Sequence, residues 1–432
     1  GAWLVGALPV LAAEPWTFER ALEHALTNSP DAQMARARIA AARAGLDQAN
    51  SAVWPRLQFQ SSYLRTDNPM QVFGSILNQQ AYSPALDFND VPDVDNLNVK
   101  GLATLPLYTG GKIRAARQAA RAQTEAARSE SDAVRNALGF EVARAFHTVL
   151  KTREFIRAAE ASVASFESAL ATARKRLEGG ALLKSELLDI EVRLAQAREE
   201  LVRARNAKVL AERALRNLLG IESGPFEVAD SPPAVSVPQA DDFSGRPELE
   251  AALQRERAAE EQVRGARAGH LPKVSAFGSL DYDHGWRSDS GAGSYTAGAL
   301  LQWDLWDGNL TRAKVREAAA NLELAREERR KIRLALALEA EQARLELQTA
   351  AERLRVSETA VAQAAESASL TRARFDQGLA LATQLIDAET ALLAAKVRRA
   401  EAEADQRIAT AALRKALGLP QLDSNFKEFA QP

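Results

Sequence analysis

The chain predicts a mixed α+β membrane protein, in which long antiparallel coiled-coil helices form a helical barrel and four short strands enter a transmembrane β-barrel shared between copies. Three observations carry this reading. Residues 174–194 and 372–392 superimpose without a gap at a shift of 198, which marks an internal two-fold repeat. Apolar residues recur every seven positions along each half, the spacing of left-handed coiled coils. Four segments of about 11 residues alternate apolar and polar side chains, with aromatic residues at their ends, as outer-membrane strands do.

The totals remove several alternatives. Across 432 residues, 55 basic and 57 acidic side chains alternate along helices and leave a net charge of −2, so nucleic acid is not an expected partner. Cysteine is absent, which excludes disulfides and thiolate metal sites from these residues. No apolar run approaches the roughly 18 residues of a membrane-spanning helix. Any crossing of a bilayer has to be made by strands.

Residues 1–13, GAWLVGALPVLAA, read as a residual secretory signal with cleavage near Ala12 or Ala13. The first structural repeat spans 14–221. Within it, residues 17–53 are an Ala- and Arg-rich helical stretch interrupted at Asn28-Ser29-Pro30 and closed by Trp54-Pro55. The second repeat, 246–419, opens at Arg246-Pro247 and reaches Leu271-Pro272, with the same 25-residue interval between prolines. Proline suits these boundaries because it disfavours helix in the residue before it.

Strands are expected at about 56–66, 98–108, 273–284 and 294–306. Leu57, Phe59 and Tyr63 face away from Gln58, Gln60 and Ser62, and the other three segments alternate likewise, with exceptions at Leu102 and Leu300. Trp54, Tyr108, Trp303 and Trp306 mark one edge of this set, and Tyr63, Tyr282, Trp286 and Tyr295 the other. Two such belts match the two surfaces of a bilayer. The first connection, NPMQVFGSILNQQAYSPALDFNDVPDVDN, reads as an acidic loop with one short apolar patch, and the second, DHGWRSDSGAGSY, as a short Gly/Ser loop.

From Gly110 and Gly308 the chain turns helical. Val142, Val149, Ile156, Val163, Leu170 and Leu177 keep the seven-residue repeat, and Ala340, Leu347, Leu354, Val361, Ala368 and Phe375 hold the same register. A helix over 112–177 would run about 100 Å. Tip hairpins follow at about 177–185 and 375–383, where Gly180 and Gly378 supply the turn. Ser185 and Thr383 are the expected N-caps of the returning helices. Residues 222–245 form a Pro-rich connector in the equatorial region, and 420–432 a C-terminal tail packed near it.

No enzymatic constellation emerges. His24, His147, His270 and His284 are scattered, and Gly110-Gly111-Lys112 lacks the rest of a phosphate loop, so no catalytic residues, metal or cofactor are expected. The strands impose a further demand. A four-stranded sheet leaves unpaired edges, which cost several kcal/mol per polar group in lipid, so several chains must share one barrel. Three chains give a barrel wide enough for a water-filled passage. The trimer is preferred on that ground, although strand counting leaves a tetramer open.

The duplicated plan, with LYTGGKIRAAR and LWDGNLTRAK starting the long helices, EGGALLKSELLD and DQGLALATQLID at the turns, and ALRNLLG and ALRKALG at the ends, resembles the TolC family of outer-membrane channel proteins. The resemblance covers nearly the whole mature chain. It implies a homotrimer with its barrel in outer-membrane lipid and a helical tunnel in the periplasm, docked to a periplasmic adaptor (membrane fusion) protein and an inner-membrane transporter. The implied role is the passive exit duct of a tripartite efflux or type I secretion system. It also places a pore constriction at Asp387, Gln384 and Glu186, with Asp189 the repeat partner of Asp387, and adaptor contact at Gly180, Gly378, Leu379 and Thr383. Gln384 stands where the family often has an acidic residue. A soluble periplasmic coiled-coil adaptor or scaffold is the second reading; it accounts for the heptads but not for strands with aromatic belts.

Overall fold

The alternation read in the sequence becomes a pairing register in three dimensions. The computed structural model describes residues 15–87, 89–230, 236–237 and 242–422. The expected signal at 1–13, part of the 222–245 connector and most of the 420–432 tail lie outside these. In chain order the elements are α1 (Phe18–Asn28), α2 (Pro30–Ser51), β1 (Arg56–Thr66), α3 (Pro69–Asn78), β2 (Val94–Tyr108), α4 (Lys112–Glu178), α5 (Lys184–Leu219), α6 (Pro247–Arg267), β3 (Lys273–Gly285), β4 (Ser290–Gln302), α7 (Leu310–Asp376) and α8 (Ala382–Ala416). Both bounds of α7 are displaced from those of α4 by 198 residues, the shift at which the sequence repeats.

The chain divides into two compact units, one from 39–128 with 251–330, the other from 1–38, 129–250 and 331–432. The first holds an antiparallel sheet in the order β1-β2-β3-β4. Its register sorts the side chains into two faces. Leu57, Ala103, Gly278 and Ala297 form one cross-strand row, and Phe59, Gly101, Leu280 and Tyr295 the next, all on the apolar face. The opposite face carries Gln60, Lys100, Asp281 and Ser294 in one row, with Lys100 Nζ 3.3 Å from an Asp281 carboxylate oxygen. Leu57, Phe59, Leu280 and Leu301 are solvent-exposed in the single chain, and so are all eight belt aromatics. β1 and β4 each have one unpaired edge.

Two strand expectations need correction. β2 starts at Val94, not near 98, because it continues to pair with β1 through Thr66. β4 occupies Ser290–Gln302, not 294–306. Its ladder stops where Gln302 meets Lys273, the residue after Pro272, whose ring nitrogen has no hydrogen to donate. Trp303 leaves the sheet and donates its Nε1–H to the His270 carbonyl at 3.1 Å. A third correction concerns the first connection, which is not all loop. Asn68 caps α3 by accepting from the Met70 N–H at 3.1 Å, and Pro69 opens the helix, where its missing N–H costs nothing.

In the second unit the heptad positions are the packed ones. Val142 and Val149 are fully buried with Phe18, Phe146, Leu215 and Leu219 in one core, and Phe166, Phe375, Ile190 and Leu385 in another under the hairpin tips. Alanines between them, such as Ala169, Ala173 and Ala197, let the helices approach closely. The described part of the connector joins the first core: Trp16 N–H donates to the Glu227 carbonyl at 2.7 Å and Ala229 N–H to that of Trp16 at 2.8 Å. No helix among the described residues is long and apolar enough to cross a membrane.

Candidate pore gate at the hairpin tips

Both tips are built the same way. At the end of α4, Ala181 N–H donates to the Arg176 carbonyl at 2.8 Å and Gly180 N–H to that of Leu177 at 3.0 Å. At the end of α7, Leu379 N–H donates to Arg374 at 2.8 Å and Gly378 N–H to Phe375 at 2.9 Å. This is the Schellman closure, which needs a left-handed residue, and Gly180 and Gly378 supply φ of +71° and +80°. Leu379, the next residue, is exposed.

The caps of the returning helices differ from expectation. Leu183 and Leu381, not Ser185 and Thr383, hold the extended N-cap conformation. Leucine has no side-chain acceptor, so capping falls to the third residue of each helix. Glu186 accepts from the Leu183 N–H at 3.3 Å, and Gln384 from the Leu381 N–H at 3.2 Å. That is half of a capping box, and it leaves the Ser185 and Thr383 side chains exposed in the first turn. Glu186 also accepts from the Ala382 N–H at 3.4 Å, so one carboxylate faces two helix starts. The positive ends of both helix dipoles favour it there.

Asp189 and Asp387 stand further along, at the sixth residue of α5 and of α8. Both are exposed. The dipole advantage falls off within the first turn, so helix stability does not account for these two carboxylates.

The structure adds a set of ties between the two hairpins that the sequence reading did not assign. Arg176 donates to the Phe375 carbonyl at 2.9 Å, and its guanidinium lies 5.1 Å from the centre of the Phe375 ring. A Cβ at Gly378 would sit 3.4 Å from Arg176 Nη2, in ordinary contact with the tie. Arg193 donates to Thr390 Oγ1 at 2.6 Å. Arg372 donates to Ser165 Oγ at 2.8 Å and from Nε to Glu389 at 3.0 Å, and Glu389 is only 4 % exposed. The equivalent pair in the first hairpin, Arg174 and Glu191 at 3.1 Å, is exposed. An Arg and a Glu 17 residues apart across the turn in both copies was the available signal. Only the fold shows that one of these pairs has a buried carboxylate and bridges to α4.

The sequence profile of the outer membrane efflux protein family matches residues 21–221 and 243–419. No curated protein sequence matches the chain significantly. Among solved structures, the outer-membrane channel OprN is 22% identical with a TM-score of 0.80, over 93% of this chain and 89% of that one. VceC, an outer membrane protein of Vibrio cholerae, is 22% identical with a TM-score of 0.79, over 93% and 96%. The open state of the MtrE outer membrane channel of Neisseria gonorrhoeae is 16% identical with a TM-score of 0.76, over 94% and 89%. At these identities the structures establish the shared fold, and the profile match establishes the rest: the chain belongs to the outer membrane efflux protein family.

Proposed function

We propose that three copies of this chain form an outer-membrane channel, the passive exit duct of a tripartite efflux or type I secretion system. The observation that carries the reading is the sheet: its apolar face is exposed, its opposite face is polar and ion-paired, and both edges are open. Lipid against the first face, water against the second and neighbouring copies at the edges satisfy all three. The helical unit supports the same reading. Leu188, Val192, Val202 and Val209 on α5, and Leu334, Leu338, Leu345 and Leu370 on α7, are exposed apolar side chains outside the packed heptad stripe. Helices of adjacent copies would bury them in a closed tunnel. A soluble scaffold leaves the exposed apolar face of the sheet without a use.

The two repeats, 14–221 and 246–419, then contribute one strand pair and one hairpin each, with 222–245 connecting them. At the tips, symmetry turns each inward carboxylate into a ring. Asp387 is the principal constriction residue, with Gln384, Glu186 and Asp189 around it, and such a ring favours cations at the narrowest point. Gly180, Gly378, Leu379 and Thr383 form the surface taken by a periplasmic adaptor, which couples the duct to an inner-membrane pump. Opening moves one hairpin away from the other and breaks the ties of Arg176, Arg193 and Arg372, a discrete rearrangement of packed helices. An open state is described for the MtrE outer membrane channel, a protein of this fold.

Reconstitution tests the proposal. Purified protein should run as detergent-dependent, heat-resistant trimers and give discrete conductance steps in planar bilayers. A water-soluble monomer that leaves bilayers intact refutes it.

A further inference from the structure

Near its middle, α4 turns a polar stripe towards α8. His147, Lys151, Glu154 and Arg157, spaced i, i+4, i+7 and i+10, share one face of the helix, and with Glu403 and Arg407 of α8 they line a cavity of about 140 Å³. Ala400 and Ala404 form part of the α8 wall, and their small side chains leave the space open. The cleft runs on between the same two helices past Lys396 and Arg399.

The carboxylates here are already matched. Arg157 donates from Nη1 to Glu154 at 2.5 Å and from Nη2 to Asp230 at 2.6 Å, and Arg407 donates to Glu403 at 2.8 Å. Two groups are left over. Lys151 makes no ion pair among the described residues. His147 is 5 % exposed, its ring rests against Phe18 and Phe146 at 6.3 and 6.1 Å, and its Nδ1 has no hydrogen-bond partner among the described residues. A buried ring nitrogen without a partner is uncommon and calls for one. Along the whole cleft, cationic side chains outnumber carboxylates by five to three, so the missing partner is an anion.

Size and donor arrangement narrow its chemistry. The cavity has the volume of roughly four or five waters at about 30 Å³ each, enough for a tetrahedral oxyanion with little room for an organic chain. Donors converge from both helices: the Lys151 ammonium, one N–H of the neutral imidazole, and the N–H groups that Arg157 and Arg407 do not spend on their ion pairs. Four oxygens in a tetrahedron can meet donors on opposite walls. From this geometry we infer that the cavity is a binding site for a small oxyanion of the phosphate class, held by Lys151 and His147 between Arg157 and Arg407. The bound ion ties α4 of the first repeat to α8 of the second. Glu154, Asp230 and Glu403 do not bar it, because each already shares its charge with an arginine. The site lies wholly within the helical unit and needs neither trimer nor bilayer, so it stands apart from the channel reading.

Isothermal titration calorimetry of the purified full-length protein in detergent reads the site directly, with sodium phosphate as the titrant and ionic strength held constant by sodium chloride. The expected result is saturable binding of one phosphate per chain, with sulfate competing. Lys151→Ala and His147→Phe should each weaken it about tenfold or more, the loss of one hydrogen bond to a charged group. Lys112→Ala, which removes an exposed lysine outside the cavity, should leave the affinity unchanged. Circular dichroism checks that each variant is folded, and if His147→Phe is not, Lys151→Ala and Lys151→Met carry the test at the cavity wall. No saturable binding overturns the site, and so does an affinity that Lys151→Ala leaves intact or that Lys112→Ala lowers as much.

Discussion

Replacing Arg372 with alanine tests the gate most directly, since the structure fixes what is lost. Arg372 holds the Glu389 carboxylate, 4 % exposed, and reaches Ser165 on α4 at 2.8 Å, so the change removes a tie between the hairpins and leaves a buried charge without its partner. An unpaired charge in a dry interior would cost about 3–5 kcal/mol. Arg372 is itself 43% exposed, so water can enter the vacated space, and the range for hydrogen bonds to charged groups, about 1.5–3 kcal/mol, is the better guide. Taking about 2 kcal/mol against the closed tip alone, the open population rises by a factor of about 30. Single-channel recording in planar bilayers measures this as open probability. A companion variant, Arg372→Met/Glu389→Leu, deletes both charges and leaves no orphan, so it should open less than Arg372→Ala and more than the parent because the Ser165 contact is still gone. Intact heat-resistant trimers with parental open probability in Arg372→Ala would show that this tie is structural and that the tip does not open by parting the two hairpins.

Asp387→Ala should raise single-channel conductance and weaken cation preference, measured as a reversal potential under a salt gradient; unchanged values for both would remove Asp387 from the constriction. Ala at Gly378 must hold φ near +80° and Ala at Gly180 φ near +71°, and neither meets more than an ordinary contact, so both should lose about 1–2 kcal/mol from the backbone, read from thermal unfolding of the trimer. His147 is held down to about 4 by burial and by the nearby Arg407, so it stays neutral in the fold while the unfolded chain takes up a proton near 6.5. Its contribution is therefore complete above pH 6.5 and is lost as pH falls towards 4, by at most about 1.4 kcal/mol per unit. His147→Phe, whose ring can rest against Phe18 and Phe146, should flatten that part of the stability profile measured by denaturant midpoints.

Periodicity made much of this molecule legible before any coordinates. β1 occupies the expected residues because nothing interferes with alternation between Pro55 and Thr66, and Val142, Val149, Leu170, Ala340, Ala368 and Phe375 of the heptad series are buried, with the rest partly so, because a sustained repeat admits one packing face. Where the structure departs from the sequence pattern, a local signal is overruled by the partner it meets. Ser185 and Thr383 are good N-caps in isolation, yet each glycine closure places a leucine at the cap and hands the task to Glu186 and Gln384. Trp303 and Leu305 alternate like strand residues, but the strand they would pair with has ended at Pro272. α3 carried legible marks in Asn68-Pro69, and its apolar patch read as loop because ten residues are too few to show a period convincingly. The asymmetry between Arg174–Glu191 and Arg372–Glu389 is not legible in the sequence, which offers two equivalent pairs, and only packing buries the carboxylate of one of them.

The strand count itself constrains how copies can join. In the order β1-β2-β3-β4 every neighbour is antiparallel, so β1 and β4 run in opposite directions and their free edges are on opposite sides of the sheet. Setting β4 of one copy beside β1 of the next therefore continues the antiparallel ladder across the seam, which an odd number of strands would not do. The contact is heterologous, different surfaces meeting head to tail, and such contacts close into rings when the rotation per copy divides the circle. An isologous dimer would instead pair β1 with β1 and leave both β4 edges bare in lipid, at several kcal/mol for each unsatisfied group. A charged residue at an outward-facing β4 edge position such as Tyr295→Lys should abolish trimers without unfolding the helical unit, and circular dichroism beside heat-resistant gel mobility would separate the two.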